Sequence, residues 1–171
     1  GGFKAGFWLE SQLSPDDGSP AGISFQRRST ISLMGGFGEV RMGRDLTAGY
    51  VKTSTYDLFG QVGMGMFRGW SNGVAAADGD FNGYRANNML AYYTPNFGGF
   101  TAAVNYGFGE SVNGGSKAGR YIGGYAAYDN GPLSVALAMD KNNGALVALS
   151  SADVDRTQVS LGGSYDLGMA K

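Results

Sequence analysis

The sequence predicts an all-β fold, a transmembrane antiparallel β-barrel, and three observations carry that reading. Large apolar residues alternate with small or polar ones over most of the chain, as in Phe100-Thr-Ala-Ala-Val-Asn-Tyr-Gly-Phe108. The alternating segments run for about ten residues, the length of a tilted strand through a bilayer. The connections between them are short and long in turn, whereas a soluble sandwich has no reason to keep such an order.

Composition agrees. The 171 residues include 31 Gly, 10 Tyr and 10 Phe, with only 16% charged residues and a net charge of -1. Average Gly usage is about 7%, so the excess asks for many turns and close backbone packing. Gly has no three-residue period, and the aromatic content argues against disorder. The chain has neither Cys nor His. That removes Ser-His-Asp and Cys-His nucleophiles, His or Cys zinc sites, haem ligation by His and disulfides. No cofactor, metal or nucleic-acid partner is expected. No apolar run approaches the roughly 18 residues of a membrane helix, so a membrane would be crossed by strands. No basic-plus-apolar leader opens the sequence, which for a barrel fits a mature or truncated chain.

Taken in order, residues 2–13 alternate with Phe3, Ala5, Phe7 and Leu9 on one face, ending at the turn-rich 14–20. A second strand is predicted over about Ser24–Met34 and a third over about Phe37–Thr47, joined by Gly35-Gly36 as a hairpin. From Ala48 to Tyr84 the alternation stops. It resumes over Arg85–Thr94 and Phe97–Gly109, across Pro95-Asn96, then over Arg120–Tyr128 and Leu133–Lys141, across Asp129-Asn-Gly-Pro132. A last strand is predicted over Arg156–Leu167, where Val159, Leu161, Tyr165 and Leu167 share a face. Eight strands result. The intervals 14–23, 48–84, 110–119 and 142–155 are the long connections.

Several arginines fall inside these strands: Arg27, Arg28, Arg41, Arg44 and Arg85. An arginine facing lipid at mid-membrane costs about 2–4 kcal/mol, so those deep in a wall should face the lumen. There a guanidinium that stays charged at any working pH would attract anions. The plainer alternative pairs them with Glu10, Glu39 and Asp45 as structural salt bridges. Parity leaves two points open: turning Ile31 and Leu33 to lipid sends Arg28 inward and Arg27 outward, and Arg41 and Arg44 have opposite parity unless one lies at an end or a bulge. An interval of more than thirty residues without periodicity is usually functional in a compact domain. The 48–84 interval carries Phe59, Met64, Met66, Phe67 and Trp70, which favours packing against something over a solvated flap. It reads either as a cap on the barrel mouth or as a loop folded into the bore.

The blocks Phe25-Gln-Arg-Arg-Ser-Thr-Ile-Ser-Leu33, Gly35-Gly-Phe-Gly-Glu-Val-Arg-Met-Gly-Arg-Asp45, Tyr56-Asp-Leu-Phe59, Arg85-Ala-Asn-Asn88, Tyr92-Tyr-Thr-Pro-Asn-Phe-Gly-Gly-Phe100, Gly119-Arg-Tyr-Ile-Gly-Gly124 and Tyr128-Asp-Asn-Gly-Pro-Leu133 resemble the general-porin family of β-proteobacteria. Taken in order they are specific, and they are similar to its anion-selective members in Comamonas- and Delftia-type bacteria. The resemblance implies a barrel of about sixteen strands, a homotrimer in the outer membrane of a Gram-negative cell among lipid and lipopolysaccharide, and passive diffusion of small anions and hydrophilic solutes. It also implies that 48–84 is the constriction loop, folded into the bore. Arg27 and Arg85 match two positions of the family's basic cluster, which implies that Arg27 faces inward. Arg28, Arg41 and Arg44 are further candidates, with Lys52 and Arg68 weaker ones on the loop. The loop acids Asp57, Asp78 and Asp80 would dilute the potential. About eight strands of the expected sixteen are present, so the chain looks like an interior part of such a barrel.

Two other functions compete. A closed eight-stranded barrel could anchor or adhere with little conductance, although its filled interior leaves no room for a long aromatic loop. An outer-membrane enzyme or a soluble carbohydrate-binding protein would need a carboxylate pair, and the spacing of Glu10, Glu39 and Glu110 singles out none.

Overall fold

In the computed structural model of the chain, the described residues are 2–11, 24–67, 84–109, 120–144 and 154–169. They form eight strands, β1 (Lys4–Glu10), β2 (Arg28–Gly35), β3 (Gly38–Leu46), β4 (Arg85–Tyr93), β5 (Phe100–Gly107), β6 (Arg120–Asn130), β7 (Leu133–Gly144) and β8 (Val154–Tyr165), with a helix α1 (Ala48–Ser54) between β3 and β4. Every neighbouring pair is antiparallel, and spatial order equals chain order. Among the described residues β1 and β8 lie at opposite edges of one sheet, so they do not form the small closed barrel.

The faces are inverted relative to a water-soluble sheet. Along β7, Leu133, Val135, Leu137 and Met139 are exposed, while Ala136, Ala138 and Asp140 between them are buried. Large apolar side chains are likewise exposed on β1, β2 and β8, where Phe7 and Leu161 are each 81% exposed and Ile31 55%. The covered face carries Thr30, Asp45, Asn105, Tyr121 and a series of alanines. Apolar area left exposed by a whole sheet face is tolerable only where the solvent is itself apolar. Aromatic pairs mark the two ends. Phe3 and Phe37 (5.9 Å) and Phe100 and Tyr128 (4.4 Å) sit by the short turns, and Tyr106 and Phe108 (4.9 Å) by a long connection. Such rims are where aromatic girdles form. Among the described residues no helix is long and apolar enough to cross a membrane.

The observed elements depart from the sequence reading in detail. β2 begins at Arg28, so Ser24–Arg27 precede the strand. β7 and β8 reach Gly144 and Val154, closer to their connection than the alternation indicated. The first hairpin turns on Gly36-Phe37, because Gly35 pairs with Gly38. Gly38 has φ +107°, and a Cβ there would lie 2.2 Å from the Tyr93 carbonyl oxygen. The register between β3 and β4 shifts between Gly43 and Asp45, opposite Asn88 at φ 46°. That irregularity lies next to Arg44.

The largest difference is α1, which the sequence reading left without structure. Seven residues including Gly49, Val51 and Thr53 cannot sustain a helix alone. It forms because it packs on β5, β6, β7 and β8, with Ala48 fully buried.

Candidate functional site

Two groups of side chains build the site, one on and beside β1–β4 and one on the segment from α1 to Phe67, where α1 packs on β5–β8. On β2 and β3 the covered face carries Arg28, Thr30, Ser32, Glu39, Arg41 and Asp45. Arg41 donates to Glu39 (2.8 Å) and to Asp45 (2.7 Å), and its guanidinium lies 4.6 Å from the Tyr93 ring centre. Ser32 donates to the same Glu39 (2.7 Å). Arg28 pairs with Asp45 (3.2 Å), donates to Thr30 (3.2 Å) and stacks 4.6 Å over Trp8. Strand alternation brings Arg28 and Arg41 to one face, since Thr30 and Ser32 lie between Ser29, Ile31 and Leu33 of the other.

Above them, toward the long connections, Arg27 donates to Glu10, the register partner of Arg28. Arg85 donates to the Arg27 carbonyl (3.0 Å) and sits 5.0 Å from the Tyr84 ring. Arg27 lies in a bend before β2, not in the wall. The parity conflict therefore disappears: a residue at the rim pays little of the cost an arginine would meet at mid-membrane. Arg44 donates to Asn87 and to the Gln26 carbonyl (2.6 Å), beside the register shift. Five arginines thus gather with three carboxylates, Glu10, Glu39 and Asp45, and the group keeps an excess of positive charge. Ion pairing fixes the guanidinium planes without cancelling the field, and stacking on Trp8 and Tyr93 holds them in place.

On the other side, the chain leaving β3 is tied down step by step. The Thr47 amide donates to the Tyr84 carbonyl (2.9 Å), and the Ala48 amide to Asn105 Oδ1 on β5 (3.0 Å). Lys52 Nζ reaches Asp129 Oδ2 on β6 (2.7 Å), and Tyr56 Oη meets Ser134 Oγ on β7 (2.8 Å). The Tyr56 ring covers Gly162 of β8, where a Cβ would stand 2.2 Å from it. Past Tyr56 the Asp57 carboxylate accepts the amides of Phe59 (2.9 Å), Gln61 (3.1 Å) and Phe67 (3.0 Å) and the Gln61 side chain. These donors hold the carboxyl below the usual Asp range, although it stands in water. Burial beside Tyr84 pushes the Tyr50 phenol up.

A family model described as Gram-negative porin matches residues 1–171. The chain belongs to the Gram-negative porins. This porin sequence is 51% identical over its whole length to outer membrane porin protein 32 of Delftia acidovorans, covering 48% of that protein. It is 32% identical over 99% of its length to an outer membrane porin of Bordetella pertussis, covering 46% of that protein. The fold superposes on a solved anion-selective porin from Comamonas acidovorans with a TM-score of 0.87 and 49% identity, over 98% of this chain and 50% of that one. The chain spans about half the length of the relatives it matches. A porin of this family belongs to the outer membrane.

Of the porin site residues expected from sequence, Arg28, Arg41, Arg44 and Arg85 lie on β2–β4, with Arg27 just before β2 beside them. Lys52 sits apart from them, paired with Asp129. Asp57 is turned into its own loop. Arg68, Asp78 and Asp80 lie outside the described residues. The sequence reading missed Asn105, Tyr121, Asp129 and Asp140, which hold or underlie α1. Each is one small or polar residue among many on an inward face, and nothing local distinguishes it from its neighbours.

Proposed function

We propose that the chain forms the wall and the constriction loop of a water-filled outer-membrane channel, through which small hydrophilic solutes diffuse passively with a preference for anions. The observation that carries this reading is the gathering of Arg28 and Arg41 with Glu39 and Asp45 on the covered face of a sheet whose other face is apolar, with Arg27, Arg44, Arg85 and Glu10 at the strand ends beside them. A positive wall with low-dielectric surroundings raises the local concentration of anions and opposes cations. The opposite side of the bore is narrowed by residues 48–84, whose described part runs from α1 along β5–β8. Lys52, already neutralised by Asp129, adds little to the field, and Arg68 is the loop's other basic candidate. Asp57, Asp78 and Asp80 weaken the field where they face the bore.

No reaction is catalysed. Selection rests on size and charge, and the channel works as a homotrimer among outer-membrane lipids. The similarity to an anion-selective porin supports the anion preference, and eight strands matched to half of that chain support a complete barrel of about sixteen strands around this wall. The test is the reversal potential of the protein, purified from outer membranes and inserted in planar bilayers under a potassium chloride gradient. A potential of the sign set by chloride is expected. A potential of the opposite sign overturns the anion assignment.

A further inference from the structure

We propose that Arg156 on β8 is a further selectivity-determining residue of the channel, presented to the lumen by a hydrogen-bonded ladder of Arg156, Gln158 and Ser160, apart from the arginine group of β1–β4. The proposal rests on the reading of the chain as a channel wall and not on the sign of that wall's selectivity.

The inward row of β8 is fixed by its pairing with β7. Gln158 is the register partner of Asp140, Ser160 of Ala138 and Gly162 of Ala136, and those three β7 residues are all buried. Val159 and Leu161 between them are exposed on the other face. Arg156, two positions before Gln158, therefore belongs to the covered row, and it is half-buried. The ladder has one direction. A guanidinium offers only donors, so Arg156 donates to Gln158 Oε1, and the Gln158 amide nitrogen donates onward to Ser160 Oγ (3.1 Å). The lumen thus meets a guanidinium and, at the foot of the ladder, a hydroxyl that has accepted one bond and can still donate. Such groups suit an anion.

The charge on Arg156 is held differently from that on Arg41. Arg41 lies between Glu39 and Asp45, whereas Gln158 orients Arg156 without adding negative charge. The acid whose field reaches Arg156 is Asp140. Its Oδ1 is taken by the Tyr121 hydroxyl, and among the described residues its Oδ2 accepts no hydrogen bond. Asp140 is buried under the sheet's covering and Arg156 is not, so a passing ion meets the arginine first. Position adds to this. One register row runs through Tyr121, Asn142 and Arg156, and Tyr121 lies beside Thr47 at the root of α1. Farther along β8, Ser160 and Gly162 border a cavity of about 700 Å³ shared with Thr53, Tyr56 and Asp57. The ladder therefore lines the space between β8 and the segment 48–67. Strand β8 is four strands from β4, about 19 Å along the sheet at about 4.8 Å per strand. The Debye length at physiological ionic strength is about 8 Å, so Arg156 acts on passing ions as a charge of its own.

The chain has no Cys, so a thiol introduced at one position in it reports on that position. The experiment is the reversal potential of the protein, purified from outer membranes and inserted in planar bilayers under a potassium chloride gradient, before and after treatment with a cationic or an anionic methanethiosulfonate reagent. Arg156→Cys should lower the chloride-over-potassium permeability ratio about twofold, the Boltzmann factor of one unit charge about a Debye length from the passing ions. The cationic reagent should restore the ratio, and the anionic one should lower it further. Thr157→Cys, next in the chain and on the outward face, should respond to neither reagent, with the unsubstituted protein treated alike as the reference. Arg156→Gln should give the same fall as Arg156→Cys, and Arg156→Lys should keep the wild-type ratio. A ratio unchanged in Arg156→Cys and Arg156→Gln overturns the proposal. So does a fall that the cationic reagent does not reverse, which would mark a structural role, and so does a response at Thr157→Cys. The sign of the wild-type potential tests the anion assignment separately: a cation-preferring protein whose potential still follows the charge at position 156 loses that assignment and keeps this one.

Discussion

The Tyr121 hydroxyl on β6 donates to Asp140 Oδ1 on the neighbouring strand β7. Tyr121 is 1% exposed and Asp140 4%. Gly123 makes the meeting possible, since a Cβ there would stand 2.2 Å from both atoms. Thr47, fully buried at the root of α1, lies beside Tyr121. The pair is thus a polar post under the segment that leaves β3. Tyr121→Phe removes the donor and leaves a buried carboxyl short of a partner, a loss of about 1–3 kcal/mol. The temperature at which the protein loses its heat-resistant form on a detergent gel should drop, and open-channel current noise should rise as α1 loosens. An unchanged transition temperature would show that the pair does not support the loop.

The Tyr56 ring is seated on Gly162 and its hydroxyl on Ser134. Gly162→Ala places a methyl where the ring lies, so the ring moves away from the wall and into the bore. Single-channel conductance should fall, while Tyr56→Phe, which keeps the ring and loses only the hydroxyl contact, should leave it near the wild-type value. Equal conductance in Gly162→Ala and wild type would place the ring elsewhere.

Glu10 is held by Arg27 and faces Arg28 across the β1–β2 register. Glu10→Gln removes one negative charge from the arginine group and should shift the reversal potential further toward the chloride limit. Arg27→Ala and Arg85→Ala should shift it the other way. The differences should shrink at high salt, where the Debye length falls to about 3 Å at 1 M. Variants of Glu10 and Arg27 that move the potential in the same direction would contradict the arrangement.

Arg41 sits between Glu39 and Asp45 and is stacked on Tyr93. Removing it leaves two carboxylates close together on the wall. Arg41→Ala should therefore reduce anion preference more than Arg27→Ala, and should also lower thermal stability. Arg41→Lys keeps the charge but cannot fork to both acids, and should restore selectivity better than stability. Reversal potentials and unfolding temperatures of the three variants check this.

Asp57 organises the turn from Phe59 to Phe67 as a carboxylate. Its value in the folded chain is depressed, so its contribution is full above the ordinary Asp value of 3.8 and is lost as pH falls through the depressed value. Hydrogen exchange at the Phe59 and Phe67 amides should be protected at neutral pH and lose protection only below that ordinary value. Asp57→Ala should lack the protection at every pH.

How much of this was legible in the sequence follows from how local each signal is. Strand alternation is a property of neighbours, so Leu133, Val135, Leu137 and Met139 announce one face without reference to the rest of the chain. Asp129-Asn-Gly-Pro132 announces a turn for the same reason, and the structure narrows it to Gly131-Pro132. α1 was not legible, because seven residues with Gly49, Val51 and Thr53 carry no helical period and are helical only where β5–β8 lie beneath them. Arg27 and Arg28 are adjacent in sequence, and only the start of β2 at Arg28 separates a rim residue from a wall residue.

The sequence by itself determined the class: a membrane barrel strand inverts the usual faces, and that inversion is written residue by residue in a two-residue period. It also placed Arg28, Arg41, Arg44 and Arg85 within strands. Tertiary structure alone decided which carboxylate each arginine meets, since Glu39 and Asp45 converge on Arg41, and Glu10 meets Arg27, only after strand register is set. It alone decided that the described start of the long interval, residues 48–67, lies against β5–β8, because the polar atoms that hold it, Asn105, Asp129 and Ser134, come from strands that the chain reaches only later. Pairwise electrostatics and packing depend on distance in space, and along an extended strand that distance is fixed by register and not by sequence separation.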